Sequence, residues 1–243
     1  MKFPIIFENS HVVVIDKPIG VIVHPDEKND EKTIADWIKE TYSVAGVGDE
    51  GREGVVHRLD RNTSGVLVLA KDAIAFSSLK KQFREHTVRK VYRAIVEGNI
   101  RHETGMISLP LARAKSDFRK RTTVDMFSQD MRGEEREAIT RYKVIERATS
   151  SQGKHFTYVE CYPLTGRTHQ IRAHFRGIRH PIIGDELYGS EKGKARAPRS
   201  MLHALSITLS VPKDGEGAEQ HTFVSAIPND MQEVLKNLNF KGE

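Results

Sequence analysis

Apolar positions along this chain recur at two different periods, and the changes of period mark its elements. His11 to Ile15 is a β-branched run that reads as a strand, closed by Asp16-Lys17-Pro18-Ile19-Gly20, where proline and glycine enforce a turn. A second short apolar run, Val21 to Val23, extends the β-rich start. From Thr33 onward Ile34, Trp37, Ile38 and Tyr42 recur at helical spacing behind a threonine suited to N-capping, which predicts an amphipathic helix over residues 33–42. Gly46 to Gly54 reads as a loop. Val55-Val56-His57 and Val66 to Ala70 then read as two strands around the polar stretch Arg58 to Gly65.

Further along, Asp72 to His86 is expected to be helical, with Phe76, Leu79 and Phe83 on one face and Lys80, Lys81 and Arg84 largely on another. Arg89 to Val96, Ala138 to Glu146, His155 to Cys161, Leu205 to Val211 and Thr222 to Ile227 have strand-like composition. Thr168 to Phe175 fits a short helix after the Gly166 turn, and Met231, Val234, Leu235 and Leu238 fall at i, i+3, i+4 and i+7 of a last helix. No internal repeat, low-complexity tract or linker interrupts the pattern. The simplest architecture is one mixed α+β domain over residues 1–243.

Composition sharpens this picture in two ways. Lys and Arg number 38 against 33 Asp and Glu, for a formal charge of +5, which suits a polyanionic partner where the excess is clustered. Two basic segments stand out, residues 113–121, with five basic residues to one acidic, and residues 192–199. Cys161 is the only cysteine, which excludes an intrachain disulfide and a cysteine-built zinc ribbon and fits a reducing compartment. The N-terminal apolar stretch reaches Glu8-Asn9-Ser10-His11 too soon for a signal peptide, and no apolar run is long enough to span a bilayer, so the expected location is the cytoplasm.

Several familiar chemistries find no support. Gly46-Val47-Gly48-Asp49-Glu50-Gly51 has the spacing of a dinucleotide loop, but it follows a predicted helix and precedes a predicted strand, the reverse of what that loop needs. There is no G-x-x-x-x-G-K-[ST] phosphate loop, no G-x-S-x-G nucleophile elbow and no H-E-x-x-H. His169 and His174 are five positions apart, the wrong spacing for a helical zinc pair, and read as structural or RNA-contacting histidines.

The segment His57-Arg58-Leu59-Asp60-Arg61-Asn62-Thr63-Ser64-Gly65 sets a carboxylate and two guanidiniums between apolar strands. On residues alone it is either a turn whose Asn, Thr and Ser bond their own backbone while Asp60 pairs with an arginine, or a chemical site. It resembles, residue for residue, the H-R-L-D-x-x-T-S-G signature of the RluA-type pseudouridine synthases. Arg89-Lys90-Val91-Tyr92-Arg93-Ala94 resembles that family's second motif, and Leu164 to His174 its third. The likeness runs from Val13-Val14-Ile15-Asp16-Lys17-Pro18-Ile19-Gly20 through His180 to Asp185 and on to Leu202-His203-Ala204.

The resemblance implies the pseudouridine synthase fold: α+β, a mixed, mainly antiparallel sheet flanked by helices and loops, with an active-site cleft across the sheet. It implies isomerisation of uridine in transfer or ribosomal RNA, with Asp60 as the catalytic carboxylate, Tyr92 at the target base and Arg167 as partner of Asp60. Such an isomerisation adds no group and changes no oxidation state, so it implies no cofactor and no metal. Arg58 is expected to brace the space vacated by an extruded base, Ile171 to pack against the base, and Arg61 and Arg172 to meet phosphates. Many relatives carry an N-terminal S4-like module. Here the catalytic pattern starts almost at residue 1, so this domain is expected to recognise RNA largely alone, as a monomer with no obligatory protein partner. The alternatives are a non-catalytic RNA-binding protein that keeps the fold, disfavoured by an intact Asp60, Tyr92 and Arg167, and an RNA phosphodiester hydrolase, disfavoured by the lack of metal ligands or paired histidines.

Overall fold

The computed structural model describes residues 1–25, 31–124 and 131–241. In chain order its elements are β1 (Ile5–Glu8), β2 (Val12–Lys17), α1 (Ile34–Thr41), β3 (Ser64–Ala70), α2 (Ala73–Arg84), β4 (Arg89–Glu97), β5 (Thr104–Ser108) and β6 (Leu111–Arg113). They continue with β7 (Arg121–Thr123), β8 (Arg132–Arg136), β9 (Ile139–Thr149), β10 (His155–Pro163), α3 (Gln170–Gly177), α4 (Glu191–Lys194), β11 (Leu202–Pro212), β12 (Ala218–Val224) and α5 (Asn229–Asn237). The chain divides into two compact units, Met1–Lys90 with Ala204–Ala226, and Val91–His203 with Ile227–Glu243.

In the first unit the β-branched run becomes β2, which pairs antiparallel with β1 and with β3. Val12 to Ile15 and Leu67 to Ala70 are wholly buried, because both faces of these strands are covered. β12 lies antiparallel on β11. Helix α1 starts where predicted: Thr33 and Asp36 form a reciprocal capping box, and Ile34, Trp37 and Ile38 turn inward. Asp72 caps α2 through the Ala75 amide, and Leu79 is buried.

Two expected strands of this unit are absent. Val21 to Val23 forms no strand, since the carbonyls of Ile22 and Val23 accept from the Ile34 and Ala35 amides and serve the N-terminus of α1 instead. Val55 to His57 contributes only an isolated bridge from Val55 to Leu69. Gly46 to Gly51 is a run of turns and bends between α1 and that bridge, with no strand before it and no helix after it.

The second unit is built on antiparallel pairs in the order β4-β10-β9-β5, with a separate three-stranded sheet, β7-β6-β8. Its core gathers Ile95, Val159, Phe175, Ile182, Ile183 and Met201 with the inward positions of α5, which are Met231, Val234, Leu235 and Leu238. The i, i+3, i+4, i+7 stripe therefore faces the core as predicted. Helix α3 begins at Gln170, two positions later than expected, after His169 takes a left-handed conformation at φ 55°. The whole is an α+β protein with a mostly antiparallel sheet, and among the described residues no helix is long and apolar enough to cross a membrane.

Candidate active site

Asp60 lies half-buried on the tight loop that leads into β3. Leu59, Thr63 and Ser64 on either side are buried and anchor the loop, and the Thr63 amide donates to the Asp60 carbonyl at 3.0 Å to close a turn. Gly65 then passes so near the neighbouring strand that a Cβ there would lie 2.1 Å from the Ala204 carbonyl oxygen, and its φ is +116°. The small-residue end of the motif is thus a packing requirement.

The strongest fixture of the loop is Lys17, which is fully buried at the end of β2. Its Nζ donates to the carbonyls of Pro18 at 2.9 Å, Arg61 at 3.1 Å and Thr63 at 3.0 Å. A buried ammonium is costly unless its donors are satisfied, and here they are satisfied by the backbone of the turn after β2 and of the loop just past Asp60. Lys17 therefore holds the carboxylate in place and puts a positive charge beneath its loop. The turn signal of Asp-Lys-Pro-Ile-Gly concealed this role; only a lysine ending an otherwise apolar strand hinted at it.

The two arginines that flank Asp60 are exposed. Arg58 Nη1 lies 2.7 Å from His24 Nε2, and because a guanidinium only donates, Nε2 accepts. The His24 proton then sits on Nδ1, directed at the Pro25 carbonyl 2.9 Å away. Arg61 Nε donates to the Gly20 carbonyl at 3.1 Å and Nη2 to Glu31 at 2.7 Å. An exposed ion pair of this type contributes about 0–1 kcal/mol and is readily exchanged for a phosphate.

His57, first residue of the motif, faces the other way. Its Nε2 accepts from the Val68 amide at 3.0 Å and its ring stacks on Phe83 at 4.8 Å. Enclosure of the ring, helped by the nearby Lys90 charge, brings its pKa down to about 3, so it is a neutral structural residue near neutral pH.

In the second unit Tyr92 lies on β4 opposite Cys161 of β10, half-buried against the core. Burial pushes the Cys161 thiol far above its ordinary range, which leaves it inert. Arg167 is exposed on the loop before α3, where its amide donates to Gln170 Oε1 at 3.0 Å and its Nε to the Glu137 carbonyl at 3.1 Å. Gln170 is the staple of this loop: Oε1 also accepts from Thr165 Oγ1 at 2.7 Å, while Nε2 donates to the Ile139 carbonyl and Thr140 Oγ1, each at 3.0 Å.

Two residues expected to touch RNA are otherwise occupied. Arg172 is 9% exposed and forks onto Asp185, Nε to Oδ2 at 2.6 Å and Nη2 to Oδ1 at 2.8 Å, with its guanidinium over the Tyr188 ring. Burial pushes Asp185 up, but the Arg172 bonds and charge and the Tyr188 and Leu187 amides outweigh it, and the carboxyl stays below its usual range. The guanidinium expected to meet phosphate is thus engaged in a buried pair with Asp185. Ile171 is 6% exposed and belongs to the core of the unit. In the segment 192–199, Arg199 is likewise removed from any phosphate role: it is buried and bonds Asp230 at 2.6 and 3.0 Å. His174 is structural, held between Thr140 Oγ1 at 2.9 Å and the Leu109 carbonyl at 3.0 Å.

The first unit thus brings Arg58, Asp60 and Arg61 onto one clamped loop, and the second holds Arg167 on a stapled loop and Tyr92 on a central strand. The first thus offers a carboxylate and two exposed guanidiniums, and the second a flat phenol and an exposed guanidinium. Among the described residues no three His, Cys, Asp or Glu side chains are grouped to hold a metal ion.

Comparison with known proteins gives concordant results. The family model for RNA pseudouridylate synthase matches residues 11–176. A ribosomal large subunit pseudouridine synthase D of Zymomonas mobilis is 35% identical over 243 residues, which covers 96% of this chain and 72% of that protein. An uncharacterized RNA pseudouridine synthase of Bacillus subtilis is 36% identical, covering 100% of this chain and 75% of its own length. Among solved structures, human RNA pseudouridylate synthase domain containing 4 superposes with a TM-score of 0.72 at 26% identity, over 97% of this chain and 92% of that one.

Proposed function

The chain belongs to the RNA pseudouridylate synthase family, and from that membership we propose that its isomerisation of uridine in RNA is carried out by Asp60, Tyr92 and Arg167. The reaction breaks the bond from uracil N1 to the ribose, turns the base, and joins ring carbon 5 to the sugar; carbon 5 loses a proton and N1 gains one. The whole chain acts in this reading as one catalytic domain.

Asp60 serves as a carboxylate, either as nucleophile or as stabiliser of the charge that develops when the glycosidic bond breaks. Arg167 favours its ionised form. Tyr92 stacks on the extruded uracil and holds its hydroxyl as acceptor for the carbon 5 proton. Arg58 fills the space the base leaves, since extrusion costs a few kcal/mol that a side chain in the vacated stack offsets. To do so it must leave His24, which holds it at 2.7 Å here. Ile171 and Arg172 act indirectly, by shaping the segment that carries Arg167.

The observation that carries the reading is the clamp on the Asp60 loop. Two hydrogen bonds from one buried ammonium, to the Arg61 and Thr63 carbonyls, tie the loop that carries a half-buried carboxylate and two exposed arginines to the end of β2, which a solvated turn would not need. For substrate we favour ribosomal over transfer RNA, because the relatives of Zymomonas mobilis and Neisseria meningitidis are named for the large ribosomal subunit. The protein works on that RNA as a cytoplasmic monomer without an obligatory protein partner. Mapping pseudouridine in RNA from cells with and without the gene tests this assignment. A missing modification in large-subunit ribosomal RNA is the expected result, and one confined to transfer RNA would refute the substrate choice.

A further inference from the structure

We propose that the outer end of the small sheet β7-β6-β8 is an RNA phosphate-binding strip, built on a row of three arginines that face one another across its strands. The register places Arg113 of β6 opposite Arg121 of β7 on one side and opposite Arg132 of β8 on the other. Residues directly opposed on neighbouring strands have Cβ atoms about 4.5–5.5 Å apart on one face, so three guanidiniums issue from one line. Arg113 and Arg132 are exposed and Arg121 is half-buried.

Like charges placed directly across a ladder destabilise it. A polyanion laid along it reverses the sign of the effect. The turn that joins β6 to β7 adds Lys115, Arg119 and Lys120, and its acid, Asp117, is occupied by Arg119 at 2.7 and 3.0 Å. In the middle of this basic turn stands Phe118, 58% exposed, a ring on which a base can stack. Basic residues interleaved with an exposed aromatic favour a nucleic acid over an acidic protein as the occupant. Glu134 and Glu135 are exposed further along β8, and Asp125 and Asp130 fall between Arg121 and Arg132 in sequence, outside the described residues.

The strip is tied firmly to the loop that carries Arg167. The Arg121 amide donates to the Tyr188 hydroxyl at 2.7 Å, and that hydroxyl lies 3.1 Å from His169 Nδ1, two residues after Arg167. Leu111 packs with Ala138, Ala173 and Tyr188, and a Cβ at Gly177 of α3 would meet Thr123 of β7 at 2.7 Å. RNA bound on the strip is therefore held in a fixed place relative to Arg167.

This inference rests on RNA being the substrate and adds where its backbone is gripped. The test compares three proteins with wild type: the triple variant Arg113→Gln, Arg121→Gln, Arg132→Gln; the single variant Arg113→Glu; and a charge-matched control, Lys2→Gln, Lys154→Gln, Lys236→Gln. Each is titrated with an unmodified transcript of large-subunit ribosomal RNA at several salt concentrations and melted alone. Three lost phosphate contacts reduce the log–log salt slope by roughly 2 to 3 and weaken binding at physiological salt by about tenfold to a hundredfold. The control should do neither. Arg113→Glu, which sets a carboxylate between two guanidiniums, should raise the melting temperature while it weakens RNA binding. A triple variant that folds and matches the control in affinity and slope overturns the proposal, as does an Arg113→Glu protein that melts below wild type. Tritium release from the same transcript by wild type is scored separately: binding through the row without release defeats the enzymatic reading and leaves the strip standing.

Discussion

Replacing Lys17 with methionine tests the idea that one buried side chain both stabilises the first unit and aims Asp60. Methionine matches the lysine stem in length and keeps the site filled, so the change removes an ammonium and three donors with little loss of volume. The carbonyls of Pro18, Arg61 and Thr63 then lose a partner, at about 1–3 kcal/mol for each one that water cannot reach. Against this, the variant no longer buries a charge, which relieves a desolvation penalty of several kcal/mol. The net effect is a loss on the order of 2–4 kcal/mol, or roughly 5 to 15 °C in melting temperature for a chain of this size. The functional consequence is separate. A loop released by about 1 Å misplaces the carboxylate, and misplacement on that scale costs about a hundredfold in rate. The assay is single-turnover tritium release from uracil labelled at carbon 5, on protein shown by its melting curve to be folded, alongside RNA affinity from titration. We expect near-normal affinity with a rate lowered at least tenfold. A Lys17→Met protein with reduced stability but a wild-type rate in its folded fraction would show that the clamp is structural only.

Arg172→Ala should behave as a folding mutant, because it strands a wholly buried Asp185; a loss of about 3–5 kcal/mol is expected in denaturant titration, with RNA affinity of the surviving folded protein nearly intact. Stable Arg172→Ala protein with weakened RNA binding would restore the phosphate contact. Acid should destabilise the protein through His57, whose folded pKa of about 3 lies below its ordinary 6.5: between those values the unfolded chain binds a proton that the native ring excludes, so stability falls as pH falls, by up to about 1.4 kcal/mol per pH unit. The buried His174, also shifted down, adds to the same trend. His57→Gln, which keeps an acceptor but does not titrate, should flatten the stability profile between pH 6.5 and 4, and a profile parallel to wild type would remove His57 as the cause.

What the sequence made legible, and what it did not, follows the reach of the interactions involved. Strand β3, helix α1 with its Thr33 cap and the apolar stripe of α5 are local patterns, set by periodicity and by one side chain reaching a nearby amide. Val21 to Val23 has equal strand propensity, but its backbone is claimed by the N-terminus of α1, a tertiary demand that no local pattern encodes. The same holds for arginines. Arg172, Arg199 and Arg167 all lie in basic or motif segments, yet Arg172 and Arg199 are bound by acids thirteen and thirty-one residues downstream, while Arg167 stays exposed. Charge alone does not separate them; the partner acids Asp185 and Asp230 do. Lys17 and His24 were invisible for a related reason, since their partners lie 46 and 34 residues away, on the Asp60 loop. The basic segment 113–121 marks Arg113 and Arg121, but the arginine row of the small sheet appears only once register is known, because linear order does not set Arg132 beside them.

The central claim is that the Asp60 carboxylate performs the chemistry. Asp60→Asn nearly preserves the side chain's size and leaves in place the Lys17 clamp, whose bonds to the loop run to the backbone carbonyls of Arg61 and Thr63. The variant should therefore melt near wild type and bind RNA as tightly, yet release no tritium from uracil labelled at carbon 5 in a single turnover with enzyme in excess. Were Asp60 only a partner for an arginine, stability would fall and the folded fraction would still react. Substantial tritium release by a folded, RNA-binding Asp60→Asn protein would contradict the assignment.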